Sequence, residues 1–282
     1  MRWTCGARTF DLERRALVMG VINLTPDSFS DGGRFADPLA AVAHARTLLD
    51  QGADLLDLGA ESTRPGSSPV PPEEQWRRLE PVLRALSADG RACVSVDTSS
   101  AQVAALAIES GAEVINDVTA MGDPGMAGVL ARSNAGVVLM HMQGAPSTMQ
   151  SDPRYEDCAR EVADFLRTKL GRAEHAGIDR SRVALDPGIG FGKTVRHNLE
   201  LIARVGEIAA LGRPVVVGAS RKGFLGHLLE LPVDQRLEGG LAAHAVAIFQ
   251  GARIVRTHDI AATSRMARIA LALAAAAREP RG

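Results

Sequence analysis

Polar and ionisable residues recur where short apolar segments of this chain end. A single residue of this kind could simply cap the end of a strand in solvent. A set that recurs at nearly every segment is hard to explain in that way, and it predicts a shared site to which most segments contribute. In chain order the set is Asn23, Asp57 with Glu61, Asp97, Asn116 with Asp117, His141, Asp186, Ser220 with Lys222, and Arg256 with His258.

The side chains of this set divide into acceptors and donors. Asp97, Asn116 and Asp186 present acceptor oxygens, and the Asn116 amide also donates. They suit the edge of a ligand with several N–H donors, such as a guanidine-like heterocycle. Cations and other donors suit phosphate oxygens or a ring carbonyl. The sequence therefore predicts one ligand with a polar heterocycle at one end and an anion at the other. The donors are Arg64, Lys222, Arg256 and His258.

The apolar segments are typical of strands covered on both faces, because they are rich in Val, Ile and Leu and lack polar/apolar alternation. Segments with helical patterning lie between them. Several helical segments end at a glycine suited to the left-handed C-cap position, namely Gly52, Gly111, Gly177, Gly212 and Gly251. The predicted strands are 16–23, 53–59, 92–97, 113–117, 136–141, 182–186, 214–219 and 252–257. The predicted helices are roughly 38–51, 73–87, 99–110, 123–134, 156–176, 197–210, 234–250 and 260–277.

Eight βα units in series predict a (β/α)8 TIM barrel, and no linker or low-complexity segment divides them. We expect one domain over 1–282, with a core of about 16–277, a short N-terminal segment and a C-terminal tail. An open doubly wound sheet also alternates strands and helices. The long, polar βα loops favour the barrel, because all such loops lie at one face, where barrel enzymes place their chemistry.

Composition excludes several classes of function. A net charge of −1 argues against bulk electrostatic binding of nucleic acid or of an anionic membrane. The N-terminus lacks the apolar region of a signal peptide, and no apolar stretch is long enough to cross a membrane. Three dispersed cysteines suit reduced, mostly buried thiols, not a disulfide framework or a zinc site. We expect a cytoplasmic protein.

The loop PGIGFGKT, residues 187–194, resembles two nucleotide-binding motifs without satisfying either of them. A Walker A loop needs a glycine five residues before the Gly192-Lys193 pair, and Pro187 occupies that position. A dinucleotide-binding glycine motif would follow the first strand, whereas this loop follows the sixth. Flexible backbone that closes over a ring is the better interpretation of these glycines.

Several blocks in order give the chain a resemblance to the dihydropteroate synthase family, from about residue 17 to 275. The blocks are MGVINLTPDSFSDGG, ADLLDLGAESTRPG, SVDTSS, EVINDV, LMHMQGAPSTMQ, ALDPGIGFGKT, VVVGASRKGFLG and IVRTHD. The family joins 6-hydroxymethyl-7,8-dihydropterin diphosphate to 4-aminobenzoate. The products are 7,8-dihydropteroate and diphosphate, and Mg²⁺ assists. The resemblance implies SN1-like loss of diphosphate and a homodimer, with 241–247 and 261–277 as candidate interface segments.

The same resemblance assigns roles to individual positions. The catalytic residues would be Lys222, Asp97 and Arg256. The pterin would be bound by Asp97, Asn116, Asp186, Lys222 and Met140. The diphosphate would be bound by Thr63, Arg64, Ser220, Arg256 and His258. The aminobenzoate pocket would be formed by Phe29, Arg64, Pro65, Phe191, Ser220 and Lys222. Mg²⁺ would lie near Asn23, with Asp57 as a second candidate.

Two departures from the family pattern are small. Ala60 stands where relatives often have a second glycine, and Gly223 stands where they have serine. Neither change removes a proposed ligand group. Two alternatives stay open, a pterin-binding barrel of the methyltetrahydrofolate:corrinoid methyltransferase type and a non-catalytic pterin-binding paralogue. The first should not need the TPDSFSDGG and STRPG loops, and the second should lack Lys222, Arg256 or Asp97, all of which are present.

Overall fold

The computed structural model describes residues 1–25, 37–61 and 69–277. Within these ranges an N-terminal hairpin precedes eight parallel strands, and helices lie between the strands. The hairpin strands are β1 (Arg2–Cys5) and β2 (Arg8–Asp11). The parallel strands are β3 (Leu17–Asn23), β4 (Leu55–Gly59), β5 (Cys93–Asp97), β6 (Val114–Asp117), β7 (Gly136–Met140), β8 (Val183–Asp186), β9 (Val216–Val217) and β10 (Ile254–Thr257).

The helices follow the strands in alternation, and two of the connections contain more than one helix. They are α1 (Pro38–Asp50), α2 (Pro72–Asp89), α3 (Ala101–Glu109), α4 (Met126–Ala131), α5 (Cys158–His175), α6 (Val195–Ala203), α7 (Gly206–Ala209), α8 (Gly223–Leu229), α9 (Leu237–Phe249) and α10 (Ile260–Ala276). Across the part of the chain that the structure describes, no helix is both long and apolar enough to span a membrane.

The parallel strands follow the order β8-β7-β6-β5-β4-β3-β10-β9. A parallel bridge between Leu185 and Val215 joins the two ends of this sheet and closes the barrel. The register aligns the carboxyl ends of neighbouring strands. Asn23 lies opposite Gly59, Gly59 opposite Asp97, and Asp97 opposite Asn116. The polar residues at these strand ends therefore lie in one layer at one mouth of the barrel.

Apolar side chains pack on both sides of the strands. A large cluster lies between the barrel and its helices, and a smaller one fills the interior at the end opposite the polar mouth. The hairpin closes that end, because Trp3 is fully buried in the inner cluster and its Nε1 donates to the Arg182 carbonyl at 2.9 Å. This arrangement leaves the carboxyl ends of the strands as the open face of the barrel.

The predicted barrel is confirmed, and most elements lie within a few residues of their predicted bounds. The largest differences concern short elements. The predicted strand 214–219 is reduced to Val216–Val217, and the predicted helix 197–210 is two helices, α6 and α7. Helix α8 and the N-terminal hairpin were not predicted, because their short segments carry too few periods of apolar patterning to be distinguished from loop.

The glycine predictions at the helix ends are confirmed. The five glycines have positive φ values between +76° at Gly212 and +120° at Gly251, a region that favours glycine. The three cysteines are buried free thiols, as the sequence predicts. These glycines allow tight turns between each helix and the strand that follows it.

Candidate active site

Three predicted acceptors meet at the open mouth of the barrel. Asp97 ends β5, Asn116 is the residue before the end of β6, and Asp186 ends β8. Asn116 and Asp186 are buried, and the Asp97 side chain is 14% exposed. Met140 ends β7 directly opposite Asp186 and is also buried. The structure therefore brings together the four pterin positions that lie on strands.

Arg256 organises the acceptor side of this mouth. Its Nε donates to Asp57 Oδ2 at 2.7 Å, and its Nη2 donates to Asp97 Oδ2 at 3.0 Å. The Asn116 amide donates to the same Asp57 oxygen at 3.1 Å. Asp57 is fully buried, so it acts as the shared anchor of a cation and an amide. Arg256 thus holds two carboxylates apart in fixed orientations.

The carboxylates of the mouth bind protons more tightly than free ones. Burial raises the pKa of Asp97 to about 7, the negative charge of Asp57 adds to this rise, and Arg256 opposes it. Burial also raises the pKa of Asp186 to about 6, against the Gly188 N–H that donates to it at 2.6 Å and the charge of Lys222. Both groups therefore change ionisation close to neutrality.

Lys222 lies at the start of α8 and faces the glycine-rich loop. Its Nζ lies 4.1 Å from the centroid of the Phe191 ring, a distance typical of a cation–π contact. Burial lowers the pKa of Lys222 to about 8, and the nearby Arg256 charge lowers it further, while Asp186 and Asp97 raise it. Lys222 is therefore a cation between a flat aromatic wall and the acceptor group.

Ser220 and His258 form the donor side of the mouth. The Ser220 Oγ lies 3.1 Å from His258 Nδ1, and it accepts from the His258 backbone N–H at 3.3 Å. Ser220 follows β9 and His258 follows β10, two strands that are neighbours in the barrel. The structure thus places two of the predicted diphosphate residues together, next to the strand that carries Arg256.

Helix α9 fixes the loop that carries Ser220 and Lys222. The His244 Nε2 accepts from the Ala219 N–H at 2.9 Å, and Arg236 Nη1 donates to the Arg221 and Lys222 carbonyls at 3.4 Å. Burial lowers the pKa of His244 to about 4, so at neutral pH His244 is an uncharged acceptor. His244 and Arg236 lie outside the sequence motifs, and only the folded chain brings them to this loop.

The glycine-rich loop is more firmly held than the interpretation of flexible backbone implies. Gly188 and Gly192 have positive φ values of +68° and +61°. A Cβ atom on Gly188 would lie 1.9 Å from the His141 carbonyl oxygen, and one on Gly192 would lie 2.5 Å from the Gln143 carbonyl oxygen. These glycines are therefore required by close approach to the backbone after β7, which corrects that interpretation.

The side chain of Lys193, a residue of this loop, meets His141. His141 is a member of the polar set predicted from the strand ends, whereas Lys193 is part of the excluded Walker A motif. His141 is buried, and its Nδ1 lies 3.0 Å from the buried Lys193 Nζ. Both buried side chains therefore support the loop. This supporting role depends on their burial and their contact, which the sequence does not show.

Two acidic residues of the predicted set have local structural roles. Asp117 accepts from the Thr119 and Met121 backbone N–H groups at 2.8 and 2.7 Å and so stabilises the turn after β6. Glu61 accepts from the Val70 N–H at 2.8 Å and from Gln75 at 3.3 Å. Both carboxylates therefore stabilise loops that follow the strands.

Several predicted positions lie outside the described residues. They are Phe29, Thr63, Arg64 and Pro65. The two departures from the family pattern lie within the described ranges. Ala60 is fully buried, and a Cβ atom on Gly223 would have no described atom within 4 Å. Neither change disturbs the acceptors or donors of the mouth.

The donor set near Asn23 fits a magnesium ion. The side-chain oxygen Oδ1 of Asp57 is buried and has no hydrogen-bond partner among residues 1–25, 37–61 and 69–277. Gly59 lies between Asn23 and Asp97 and has no side chain to fill the space. A Cβ atom on Gly59 would lie 3.7 Å from Asn23 Oδ1 and 3.8 Å from Asp97 Cβ. Mg²⁺ prefers oxygen ligands and commonly combines one or two carboxylates with substrate phosphates. The residues present suit such an ion.

Comparisons with known proteins agree with this arrangement. A family model described as pterin binding enzyme matches residues 19–258. The dihydropteroate synthase of Escherichia coli K12 is 42% identical over 252 residues, which cover 89% of each chain. The Yersinia pestis dihydropteroate synthase, solved with a sulfonamide drug complex, has a TM-score of 0.92 at 41% identity and 99% coverage of both chains. The Xanthomonas albilineans dihydropteroate synthase with 4-aminobenzoic acid has a TM-score of 0.89 at 43% identity, again with 99% coverage of both.

These matches extend over the barrel and the whole set of strand ends that form its mouth. They include relatives of nearly the same length, so the similarity is not confined to one motif or one half of the fold. The polar mouth described above lies within the matched range. The chain belongs to the dihydropteroate synthase family of pterin binding enzymes.

Proposed function

We propose that this chain is a transferase that condenses 6-hydroxymethyl-7,8-dihydropterin diphosphate with 4-aminobenzoate, giving 7,8-dihydropteroate and diphosphate. The observation that carries the proposal is the convergence of Asp97, Asn116 and Asp186 with Lys222 and Arg256 in one barrel mouth. Relatives of the same family, including one solved with 4-aminobenzoic acid, support it.

The pterin fits the acceptor side of the mouth. Its 2-amino group and ring N–H form two adjacent donors, and a buried carboxylate can accept both. Asp186 supplies such a carboxylate, with one oxygen held by the Gly188 N–H. Asn116 adds an amide, and Lys222 donates to the ring side. The buried Met140 beside Asp186 offers an apolar surface for the ring.

The diphosphate fits the donor side, formed by Arg256, Ser220 and His258. Its departure would leave a methylene cation conjugated with the electron-rich dihydropterin, so a stepwise SN1-like path is chemically reasonable. Guanidinium and imidazole donors stabilise the charge that develops on the leaving group. We propose that Asn23 and Asp57 hold a Mg²⁺ ion, which when bound would neutralise part of that charge.

The amine fits the side of the mouth next to Phe191. An aryl amine is already unprotonated near neutrality, so attack on the methylene carbon requires no dedicated general base. No Ser or Cys nucleophile is required either. We propose that Phe191 and Lys222 form one wall of this pocket, with Ser220 nearby. Because the Yersinia pestis relative was solved with a sulfonamide, we also propose that sulfonamides occupy this pocket.

A product assay tests the proposed function directly. The purified protein is supplied with the dihydropterin diphosphate, 4-aminobenzoate and Mg²⁺, and both diphosphate and dihydropteroate are measured. We expect equal amounts of the two products. Diphosphate without dihydropteroate would indicate a hydrolase. Neither product, under conditions where the Escherichia coli relative is active, would refute the proposal. Omission of Mg²⁺ tests the metal separately.

The pH dependence should show an acid limb set by two carboxylates. Their pKa values are raised to about 6 for Asp186 and about 7 for Asp97, so they lose their charge as the pH falls through this range. A neutral carboxyl group cannot accept both pterin donors, and kcat/KM for the pterin substrate should therefore fall below about pH 7. The ranges in which the two carboxylates titrate overlap, so the acid limb contains a contribution from each.

The substrate diphosphate also titrates in this range, so the control is a pterin without a diphosphate. Its affinity, measured by calorimetry from pH 5 to pH 9, should weaken on the acid side in the same way. An Asp186→Asn variant should bind it weakly at every pH and keep only the part of the acid limb that Asp97 contributes. An affinity that stays constant between pH 7 and pH 5 would contradict the assigned role of these carboxylates.

We further propose that the protein forms a homodimer through α9 and α10, the helices that carry the candidate segments 241–247 and 261–277. Four large apolar side chains on these helices are exposed, Val246, Phe249, Ile269 and Leu273, at 44–64%. Light scattering after size exclusion should give twice the mass of the chain, and Ile269→Glu with Leu273→Glu should give monomer. An unchanged mass in this variant would place the interface elsewhere.

The three buried thiols suit a reducing compartment, and we propose the cytoplasm.

A further inference from the structure

Lysine is rare in this chain, and two of its lysines lie at the barrel mouth. Only three of the 32 Lys and Arg residues are lysines, namely Lys169, Lys193 and Lys222. Lysine differs from arginine in that burial readily lowers its pKa. Lys222 belongs to the site already described. Lys193 is part of the glycine-rich loop, its side chain is 3% exposed, and the proposed reaction gives it no role.

Among the residues that the structure describes, the hydrogen-bond partners of Lys193 Nζ are neutral groups. Its Nζ donates to the Phe191 carbonyl at 2.8 Å and lies 3.5 Å from the His141 carbonyl. It also lies 3.0 Å from His141 Nδ1. Burial lowers the pKa of His141 to about 3, and the charge of Lys193 lowers it further, so His141 is a neutral acceptor. Burial lowers the pKa of Lys193 to about 7.

His141 is itself fixed in place. Its backbone N–H donates to the Asp186 carbonyl at 3.0 Å, and its ring packs edge-on against Phe165 at a centroid distance of 4.7 Å. His141 and Lys193 therefore form a fixed pair of side chains next to strand β8. Lys193 of this pair holds the Phe191 carbonyl.

The rest of the loop is held by other residues. Asn198 Oδ1 accepts from the Gly190 N–H at 2.6 Å, and Gln150 donates to the Gly190 carbonyl at 2.7 Å. Tyr155 donates to the Gly192 carbonyl at 2.9 Å. Lys193 differs from these because it binds the carbonyl of Phe191, whose ring contacts Lys222. Its effect should therefore concentrate on the position of that ring.

We propose that Lys193 is a positioning residue for the second substrate, which holds the Phe191 backbone so that the Phe191 ring and Lys222 form the wall of the aminobenzoate pocket. This inference rests on the proposed function. It assigns Lys193 an effect on one substrate, whereas a general loss of stability would affect both.

The test is a Lys193→Met variant, which keeps most of the length of the side chain and removes its donors. We expect KM for 4-aminobenzoate to rise about 10-fold, which corresponds to the loss of one hydrogen bond worth about 1.4 kcal/mol. KM for the pterin diphosphate should stay within about 3-fold of the wild-type value. The matched control is Lys169→Met, because Lys169 also donates to a backbone carbonyl, that of Ala120 at 2.7 Å, and its ring contact is with Phe165 instead of Phe191. Its two KM values should equal those of the wild type.

A double-mutant cycle with Phe191→Ala tests whether Lys193 acts through Phe191. If it does, the Lys193→Met change should raise KM for 4-aminobenzoate by less than about 3-fold in the Phe191→Ala background. The inference would be overturned if the two mutations raised KM for 4-aminobenzoate independently, so that the fold-changes multiplied in the double mutant. It would also be overturned if Lys193→Met raised both KM values equally or left both at the wild-type value. A wild-type protein without product would refute the proposed function, so the two failures are distinguishable.

Thermal unfolding of each variant establishes that it folds. If Lys193→Met does not fold, Lys193→Arg provides the test, because arginine keeps the charge and the donors in a larger group. KM for 4-aminobenzoate must then change more than KM for the pterin diphosphate. Equal changes would overturn the inference in this variant as well.

Discussion

An Arg256→Ala variant is expected to lose at least about 10²-fold in kcat/KM. The guanidinium of Arg256 is the shared partner of Asp57 and Asp97, and it lies on the side proposed for the leaving diphosphate. Its removal takes away a donor to the leaving group and leaves two carboxylates without their cation. The pKa of Asp97, already raised to about 7, should then rise further, because Arg256 opposes that rise.

Two variants separate these effects. Arg256→Lys keeps the charge but cannot bind two carboxylates with a planar fork, so it should recover only part of the loss. Arg268→Ala removes an exposed arginine from α10 and should retain wild-type kinetics. The measurement is kcat/KM for the pterin diphosphate, with thermal unfolding to establish folding. A folded Arg256→Ala protein with near wild-type kcat/KM would show that Arg256 does not stabilise the developing charge.

A Lys222→Ala variant is expected to lose about 10²-fold in kcat/KM as well, but for both substrates. Lys222 is influenced by Asp186 and Asp97 on the pterin side, and its Nζ lies over the Phe191 ring on the proposed aminobenzoate side. Removing it should therefore weaken binding of each substrate and the electrostatic stabilisation of the reacting centre. This pattern differs from the single-substrate effect expected for Lys193.

The matched control for Lys222→Ala is Lys169→Ala. This variant removes a lysine of α5 that has no role in the proposed reaction, so it should leave kcat/KM unchanged. Steady-state kinetics with each substrate varied in turn gives both KM values and kcat. The assigned role of Lys222 would be wrong if its loss raised KM for only one substrate, or if kcat/KM stayed within about 3-fold of the wild-type value.

The barrel itself was predictable because its evidence is local. A buried parallel strand is a short apolar run, and a helix end is marked by a glycine at positive φ, as at Gly111 and Gly251. The members of the acceptor group were predictable for a similar reason. Asp97, Asn116 and Asp186 each stand at a strand end, and in a barrel all strand ends of one polarity lie at one face.

The exceptions are elements whose stability comes from contacts distant in sequence. The N-terminal hairpin has only four residues in each strand, too few for a clear period, and it is held by the burial of Trp3 against the barrel floor. Strand β9 pairs with β10 at two positions, and the chain beside it pairs with β8 only through the bridge between Val215 and Leu185. Such elements depend on the closed barrel, and a local pattern cannot reveal them.

The connections within the site required the tertiary structure for the same reason. Arg256 binds Asp57 and Asp97 across 199 and 159 residues of sequence, and Lys193 meets His141 across 52. The residue types at these positions allow many pairings, and closure of the barrel selects one of them. The amino-acid sequence therefore determined the barrel and the chemical groups at its mouth. The folded chain decided which carboxylate each cation binds, and which buried lysine supports the loop, because both depend on distances that only the packed strands set.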